Sequence, residues 1–255
     1  MSAPANSPAK TMIHVKDVRK SFGDKPVLES VSFDVHEGEV LGIIGISGCG
    51  KSTLLKIIGG LETSDGGEVE LSDDNYSMVF QYSALFDSLA VWENVGFSLL
   101  EEPDVKQYRE NRVQYSEAQV REILKEKLHL VGLDGTDDKL PNELSGGMKN
   151  RVSFARAIVS NPKIILYDEP TAGLDPIAST VIEDYILKLR NELGAASVVV
   201  THQFSTIQRA ADRVALLHDG RIQWLGTPYE LMNSDNPYAR QFATASLDGP
   251  MTPKD

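Results

Sequence analysis

Cysteine occurs once in the 255 residues of this chain and tryptophan twice, and lysine plus arginine (25) fall well short of aspartate plus glutamate (37). Each scarcity excludes something. A single thiol, Cys49, builds no disulfide framework, so a hydrophobic core has to hold the fold. The shortage of basic residues leaves a net charge of −12, the opposite of the basic surface that general nucleic-acid binding requires. No apolar run approaches the roughly 20 residues needed to span a bilayer. Met1 to Thr11 is rich in Pro, Ala and Ser without an apolar centre, which reads as a disordered tail and not as a signal peptide. The expectation is a soluble, acidic chain that buries a full core as one domain with a subdomain.

Glycine, by contrast, is concentrated where it does chemical work. Val40 to Ile44 is a continuous apolar run, the pattern of a strand buried on both faces. It breaks into Gly45-Ile46-Ser47-Gly48-Cys49-Gly50-Lys51-Ser52 and then into the helical run Thr53 to Ile58. Glycine allows dihedrals that aim several N–H groups inward, and it has no Cβ to block a phosphate. The positive end of the following helix points at the same place. Lys51 would reach the β- and γ-phosphates of a nucleotide, and the Ser52 hydroxyl would sit on Mg²⁺. The pattern arises by chance in roughly one chain per hundred of this size. The bland alternative is a Gly-rich turn, but strand and helix flank the motif as phosphate binding requires.

Ile164-Ile165-Leu166-Tyr167-Asp168-Glu169-Pro170 is a second apolar strand ending in acids. In a parallel sheet the carboxyl ends of strands are where ligands sit. Asp168 is placed to hold Mg²⁺ through water, and Glu169 to polarise a water attacking the γ-phosphate. Alone, such a pair is as often a solvated strand end. Downstream of a phosphate loop it reads as a metal and hydrolysis site.

Further motifs are Gln81, Leu144-Ser145-Gly146-Gly147-Met148, Ala172-Gly173-Leu174-Asp175 and His202. With the phosphate loop and the Asp-Glu strand, they make the stretch from Ile13 to Met232 resemble ATP-binding-cassette (ABC) ATPases. The resemblance implies ATP with Mg²⁺, ATP hydrolysis coupled to transport, and a working pair of subunits. It implies that Gln81 touches Mg²⁺ and relays nucleotide state to a partner. Ser145, Gly146 and Gly147 would contact the γ-phosphate held by the opposite copy. Asp175 would cross the dimer interface, His202 would steady the γ-phosphate and the attacking water, and Phe22 would stack on adenine. Gly45, Ser47, Gly48, Cys49, Gly50, Lys51, Ser52 and Thr53 would line the nucleotide. Two of these roles have an independent physical warrant. Ser145 caps a helix start and leaves orphan N–H groups for phosphate, and His202 follows the apolar Val198-Val199-Val200, on the same rim as Asp168. Phe22 has core packing as its alternative, and His202 a purely structural part. Cys49 is a small loop filler whose place beside a phosphate nest would lower its pKa, which predicts inhibition by thiol reagents.

The expected architecture is an α/β P-loop fold with a mixed-sheet core, an antiparallel β subdomain and a helical subdomain. Val31-Ser32-Phe33-Asp34-Val35 alternates as a strand with one wet face, and more β-structure falls near Glu68–Leu71 and Ser77–Phe80. A mainly helical insertion runs over about 82–150, with Val120, Ile123, Leu124, Leu128 and Val131 at helical spacing. Asp175-Pro176 opens a helix whose apolar face is Val181, Ile182, Tyr185, Ile186 and Leu189, and Gly194 ends it. Asp219-Gly220 joins two apolar strands as a hairpin, and Thr227-Pro228-Tyr229-Glu230 is a capping box. The ATPase domain is expected over 12–235, with tails at 1–11 and 236–255. In the second tail, Pro237-Tyr238 and Phe242 dock on the core or on a partner, and Gly249 to Asp255 is disordered.

Tyr82 to Val95 is rich in large apolar groups beside Gln81, in the place where ABC transporters seat a helix of the membrane subunit. Its wording, with Met148 in place of the commoner Gln and Gly173-Leu174-Asp175-Pro176-Ile177, is similar to the Mla/Mkl-type ATPases of MCE-protein-linked lipid transporters. The resemblance implies permease subunits, an MCE-domain partner, lipid cargo and a place on the cytosolic or stromal face of a membrane. The alternatives are an ATPase of a polar-solute importer and a soluble ABC ATPase without membrane work.

Overall fold

The computed structural model describes residues 9–80, 84–100 and 115–251. Strand β1 (Thr11–Phe22) and strand β2 (Lys25–His36) form an antiparallel hairpin whose tip brings Phe22 opposite Lys25. Ile13, Val15 and Val18 of β1 are buried while Lys16, Asp17 and Arg19 meet water, the pattern of a sheet with one covered face, offset by a register shift between Val15 and Val18. After strand β3 (Val40–Ile44) and helix α1 (Lys51–Ile58), strand β4 (Gly66–Leu71) returns to pair antiparallel with β1.

Strand β5 (Tyr76–Val79) opens the parallel part. It pairs with β6 (Ile164–Asp168), which pairs with β7 (Ala196–Val200), which pairs with β3, which pairs with β8 (Arg213–His218). Strand β9 (Arg221–Gly226) closes a hairpin with β8 and meets β2 at a single parallel bridge. Among the described residues one nine-stranded sheet results, in the order β4-β1-β2-β9-β8-β3-β7-β6-β5. Every residue of β3, β6 and β7 is buried, as strands covered by helices on both faces must be. Asp219 and Gly220 both have positive φ (45° and 68°), the backbone of a two-residue hairpin turn of the primed type.

Among the described residues three cores divide the interior. Leu54, Leu55 and Ile58 of α1 pack on Leu41, Ile43, Leu166 and Val198 and continue under the antiparallel strands. On the opposite face, Ile165, Tyr167 and Val199 meet the helical part: α2 (Val91–Gly96), α3 (Glu117–Leu130), a 3₁₀ turn (Pro141–Glu143), α4 (Gly146–Ile158) and α5 (Pro176–Leu193). Ser116 starts α3 with a capping box through Gln119, and the Arg121 guanidinium lies 4.2 Å from the Trp92 ring centre, tying α3 to α2. The third core joins Ile44, Val214 and Leu216 to α6 (Phe204–Ala210), α7 (Pro228–Met232) and α8 (Pro237–Thr244).

Two sequence expectations need correction. Val181 is 40% exposed and lies off the buried stripe of α5, which is Ile182, Ile186 and Leu189; helical spacing marks a stripe but not how far along it a neighbour reaches. The stretch expected to be disordered from Gly249 is fixed as far as Met251. Gln241 Nε2 donates to the Met251 carbonyl at 2.8 Å, the Met251 N–H donates back to Oε1 at 2.7 Å, and the Met251 side chain is buried. Residues 252–255 lie outside the described part. Asn236 caps α8 and Pro237 takes its first position, so Tyr238 and Phe242 pack on the chain's own core.

Candidate active site

Because β3, β6 and β7 run parallel, the segments leaving their carboxyl ends meet on one rim. The loop after β3 carries Gly45 to Gly50, and Gly50 (φ 105°) turns directly into α1. A Cβ on Gly45 would lie 2.3 Å from the Leu217 carbonyl oxygen, so only glycine lets the loop leave the sheet beside β8. A Cβ on Gly48 would meet nothing within 4 Å, and Ser47 and Gly48 are exposed: the loop is supported from behind and open in front. Val27 and Leu28 of β2 back onto Gly50, which sets the β1–β2 hairpin and Phe22 beside this loop. Phe22 is 51% exposed, so the core alternative for it fails.

Lys51 is buried, and its Nζ donates to the carbonyls of Gly45 (2.9 Å) and Ile46 (3.1 Å). An ammonium has three donors, so two brace the loop and one is left to face a phosphate. Ser52 Oγ donates to Asp168 Oδ1 at 2.8 Å. Burial pushes the Asp168 carboxyl above the usual carboxylate range; the Ser52 bond opposes this and the neighbouring Glu169 charge adds to it. Two hard oxygens side by side, on a helix start and a strand end, suit Mg²⁺, which takes few protein ligands and keeps water and phosphate oxygens for the rest. Thr53, half-buried, follows in the first turn of α1.

Glu169 has φ 47°, a left-handed backbone that a non-glycine residue adopts only when its surroundings impose it. Its N–H donates to the Val200 carbonyl at 2.9 Å, and its carboxylate turns to His202. Both carboxylate oxygens lie 3.0 Å from His202 Nδ1, and the His202 N–H donates to Oε2 at 3.3 Å. The Glu169 side chain is nearly enclosed, whereas that of His202 is half-exposed.

Ser145 accepts from the Met148 N–H at 3.3 Å and caps α4, leaving the first N–H groups of that helix beside the exposed Gly146 and the half-buried Gly147. Asp175 caps α5 through the N–H groups of Ile177 and Ala178. Gln81 lies outside the described residues. Cys49 departs from expectation: burial pushes its thiol up, and the nearby Lys51 charge only partly opposes this. The phosphate-loop location is correct, but the thiol sits against Gly45 and the core side of the loop, so desolvation wins.

Sequence reading missed Lys20. It is buried, its Nζ donates to the Thr63 carbonyl at 2.8 Å, pairs with Glu62 at 2.7 Å and lies 5.1 Å from the Phe22 ring centre. It also missed a chain of hydrogen bonds behind Glu169, through Thr171 and Thr206 to Glu183, which no local motif announces.

A glycine-rich loop between strand and helix, a Ser–Asp pair and a Glu–His pair on the carboxyl rim of a parallel sheet define a P-loop ATPase. The chain belongs to the ABC transporter family, whose pattern matches residues 28–172. It is 47% identical to Protein TRIGALACTOSYLDIACYLGLYCEROL 3, chloroplastic, of Arabidopsis thaliana, over 94% of this chain and 75% of that protein. It is 35% identical to the sulfate/thiosulfate import ATP-binding protein CysA 2 of Shewanella oneidensis, over 90% of this chain and 66% of that one. The dimeric structure of a bacterial ABC transporter cassette matches at TM-score 0.73 and 34% identity, covering 85% of this chain and 99% of that one. The same cassette in a post-hydrolysis state, bound to ADP and Pi, matches at TM-score 0.73 and 33% identity, with the same coverage. The chain is therefore an ATP-binding subunit of an ABC transporter, an ATPase whose hydrolysis is coupled to transport. Among the described residues, no helix is long and apolar enough to cross a membrane.

Proposed function

We propose that this ATPase drives lipid movement, working as a pair of copies with permease subunits and an MCE-domain lipid-binding protein at the cytosolic or stromal face of a membrane. The observation that carries the lipid reading is the 47% identity, over 94% of the chain, to a protein named for a galactolipid. Polar-solute import is the second reading. It draws on the sulfate/thiosulfate relative and on the methionine import ATP-binding protein MetN of Clostridium tetani, 41% identical over 82% of the chain.

In the proposed cycle each ATP is bounded by Lys51 and Ser52 of one copy and by Ser145, Gly146 and Gly147 of the other. The capped start of α4 presents N–H groups to its surroundings, and a γ-phosphate supplied by a second copy satisfies them. The dimeric cassette related to this chain supports the pairing. Phe22 stacks on the adenine, and Asp175 crosses between the copies. Ser52, Asp168 and Gln81 hold Mg²⁺, which when bound neutralises phosphate charge. Glu169 orients and polarises the attacking water, and His202 steadies both that water and the γ-phosphate. Lys51 keeps the loop shaped through Gly45 and Ile46 while its remaining N–H faces the phosphate. Closure assembles the site, hydrolysis reopens it, and the difference in affinity of open and closed pairs for ATP and ADP does the work.

The test is a gentle detergent pull-down of tagged protein with mass spectrometry of proteins and lipids. A multi-span permease with an MCE-domain protein and phospholipid supports lipid transport. A permease with a soluble solute-binding protein moves the assignment to polar-solute import, and soluble partners alone overturn both.

A further inference from the structure

Behind the Glu169–His202 pair runs a buried polar chain linking three segments. Thr171, two residues after Glu169, is fully buried, as is Thr206 on α6, and Glu183 on α5 is buried beside them. Thr206 Oγ1 donates to Glu183 Oε1 at 2.8 Å, and the Thr171 and Thr206 hydroxyl oxygens are 3.1 Å apart. A carboxylate only accepts and a hydroxyl has one proton, so the direction is fixed: Thr171 donates to Thr206, and Thr206 donates to Glu183. The far oxygen of Glu183 lies 3.7 Å from Arg209 Nε, again on α6. The Thr171 carbonyl accepts from Leu174 N–H at 3.2 Å and from Gln203 Nε2 at 3.4 Å, so both ends of the turn are gripped.

The location gives the chain its meaning. α6 begins two residues after His202, the turn through Thr171 begins at Glu169, and Asp175 caps the start of α5. α6 is also pressed against β3, where a Cβ on Gly42 would lie 2.3 Å from Ile207 Cδ1. The three segments bearing Glu169, His202 and Asp175 are thus joined at one buried point, next to the strand that leads into the phosphate loop. A buried carboxylate is costly unless fully satisfied, and the apolar stripe of α5 did not need one.

We infer that Glu183, through Thr206 and Thr171, is a positioning residue for hydrolysis: it fixes α6 and the turn after β6 in one register, so that His202 and Glu169 meet and move together with Asp175. This rests on the proposed hydrolytic roles of Glu169 and His202, which touch the reacting groups; Glu183 acts through them.

The test compares disrupting and conserving variants of the purified full chain, following kcat, KM for ATP and the unfolding midpoint. Thr206→Val and Glu183→Ala break the chain; Thr206→Ser and Glu183→Gln keep the donor and the acceptor. The expected result is a kcat lowered on the order of tenfold to a hundredfold in the breaking variants with KM within about twofold, and near-parent kcat in the conserving pair. Should Glu183→Ala fail to fold, Thr206→Val, nearly isosteric, carries the comparison. Glu169→Gln is measured alongside. If it loses hydrolysis while Thr206→Val keeps the parent kcat, the Glu183 assignment is overturned and the catalytic pair stands. If Glu169→Gln hydrolyses at the parent rate, both are overturned. A fall in kcat that follows loss of folded protein and is not rescued by Thr206→Ser also overturns it, since that is what general packing would give.

Discussion

His202 Nδ1 lies 3.0 Å from both carboxylate oxygens of Glu169, and the His202 N–H reaches one of them as well. The N–H of Glu169 is bonded to Val200, so the backbone on both sides of the pair is set by β6 and β7, and one imidazole determines where the carboxylate points. Glu169→Gln keeps the shape and removes the charge that is proposed to polarise water. Its hydrolysis should fall by about 10²- to 10⁴-fold, while ATP binding persists and a stable ATP-loaded dimer accumulates on size exclusion. His202→Ala should lower the rate by about a hundredfold with ATP affinity less affected. A Glu169→Gln protein that turns over at the parent rate would remove the water-polarising role.

Two of the Lys51 donors brace the loop carbonyls of Gly45 and Ile46, and the third is left for the phosphate of the proposed cycle. Lys51→Ala should therefore abolish ATP binding, as measured by equilibrium binding of a fluorescent nucleotide. It should also loosen the loop, because two carbonyls lose a charge-assisted donor at a cost of about 1–3 kcal/mol. Faster amide exchange confined to residues 45–50 would show the second effect apart from the first.

Much of this was legible in the sequence because the signals are local. Glycine spacing and an apolar run announce β3, its loop and α1; Thr227 with Glu230 announces a helix start that the structure reproduces as a capping box. The Asp219-Gly220 turn is equally direct, since few residues accept two successive positive φ angles. What escaped depends on tertiary neighbours. Spacing placed Val181 in the apolar face of α5, but it is 40% exposed beside the buried Ile182. The Thr171–Thr206–Glu183 chain joins residues up to 35 apart in sequence, and a lone Glu within a helical run reads as surface. Asn236-Pro237 was a readable helix start at α8, a signal of the same kind as Asp175-Pro176.

Gly45→Ala tests how the loop leaves the sheet. The new Cβ would lie 2.3 Å from a backbone oxygen of β8, Leu217, and backbone cannot swing aside as a side-chain tip can. The loop or the strand has to shift, costing about 1–3 kcal/mol. A urea midpoint lowered to that extent, together with weakened ATP binding, is the expected pair of results. Unchanged stability with parent ATP affinity would show that the loop leaves β3 by another path.

Cys49 reverses the expectation of an activated thiol. Burial raises its pKa above the ordinary 9.0, with Lys51 pulling the other way by a lesser amount. The thiolate is the reactive form, so alkylation by iodoacetamide near neutral pH should be slower than that of a free thiol, and should climb only as the pH passes above 9.0. The same shift has a sign for stability. Between 9.0 and the folded-state value the folded chain keeps a proton that the unfolded chain has released, so Cys49 makes folding less favourable as pH rises through that window. Cys49→Ala should remove this alkaline slope from the unfolding midpoint. Rapid alkylation at neutral pH, followed by intact-mass spectrometry, would show instead that the Lys51 charge outweighs desolvation and that the loop thiol is activated.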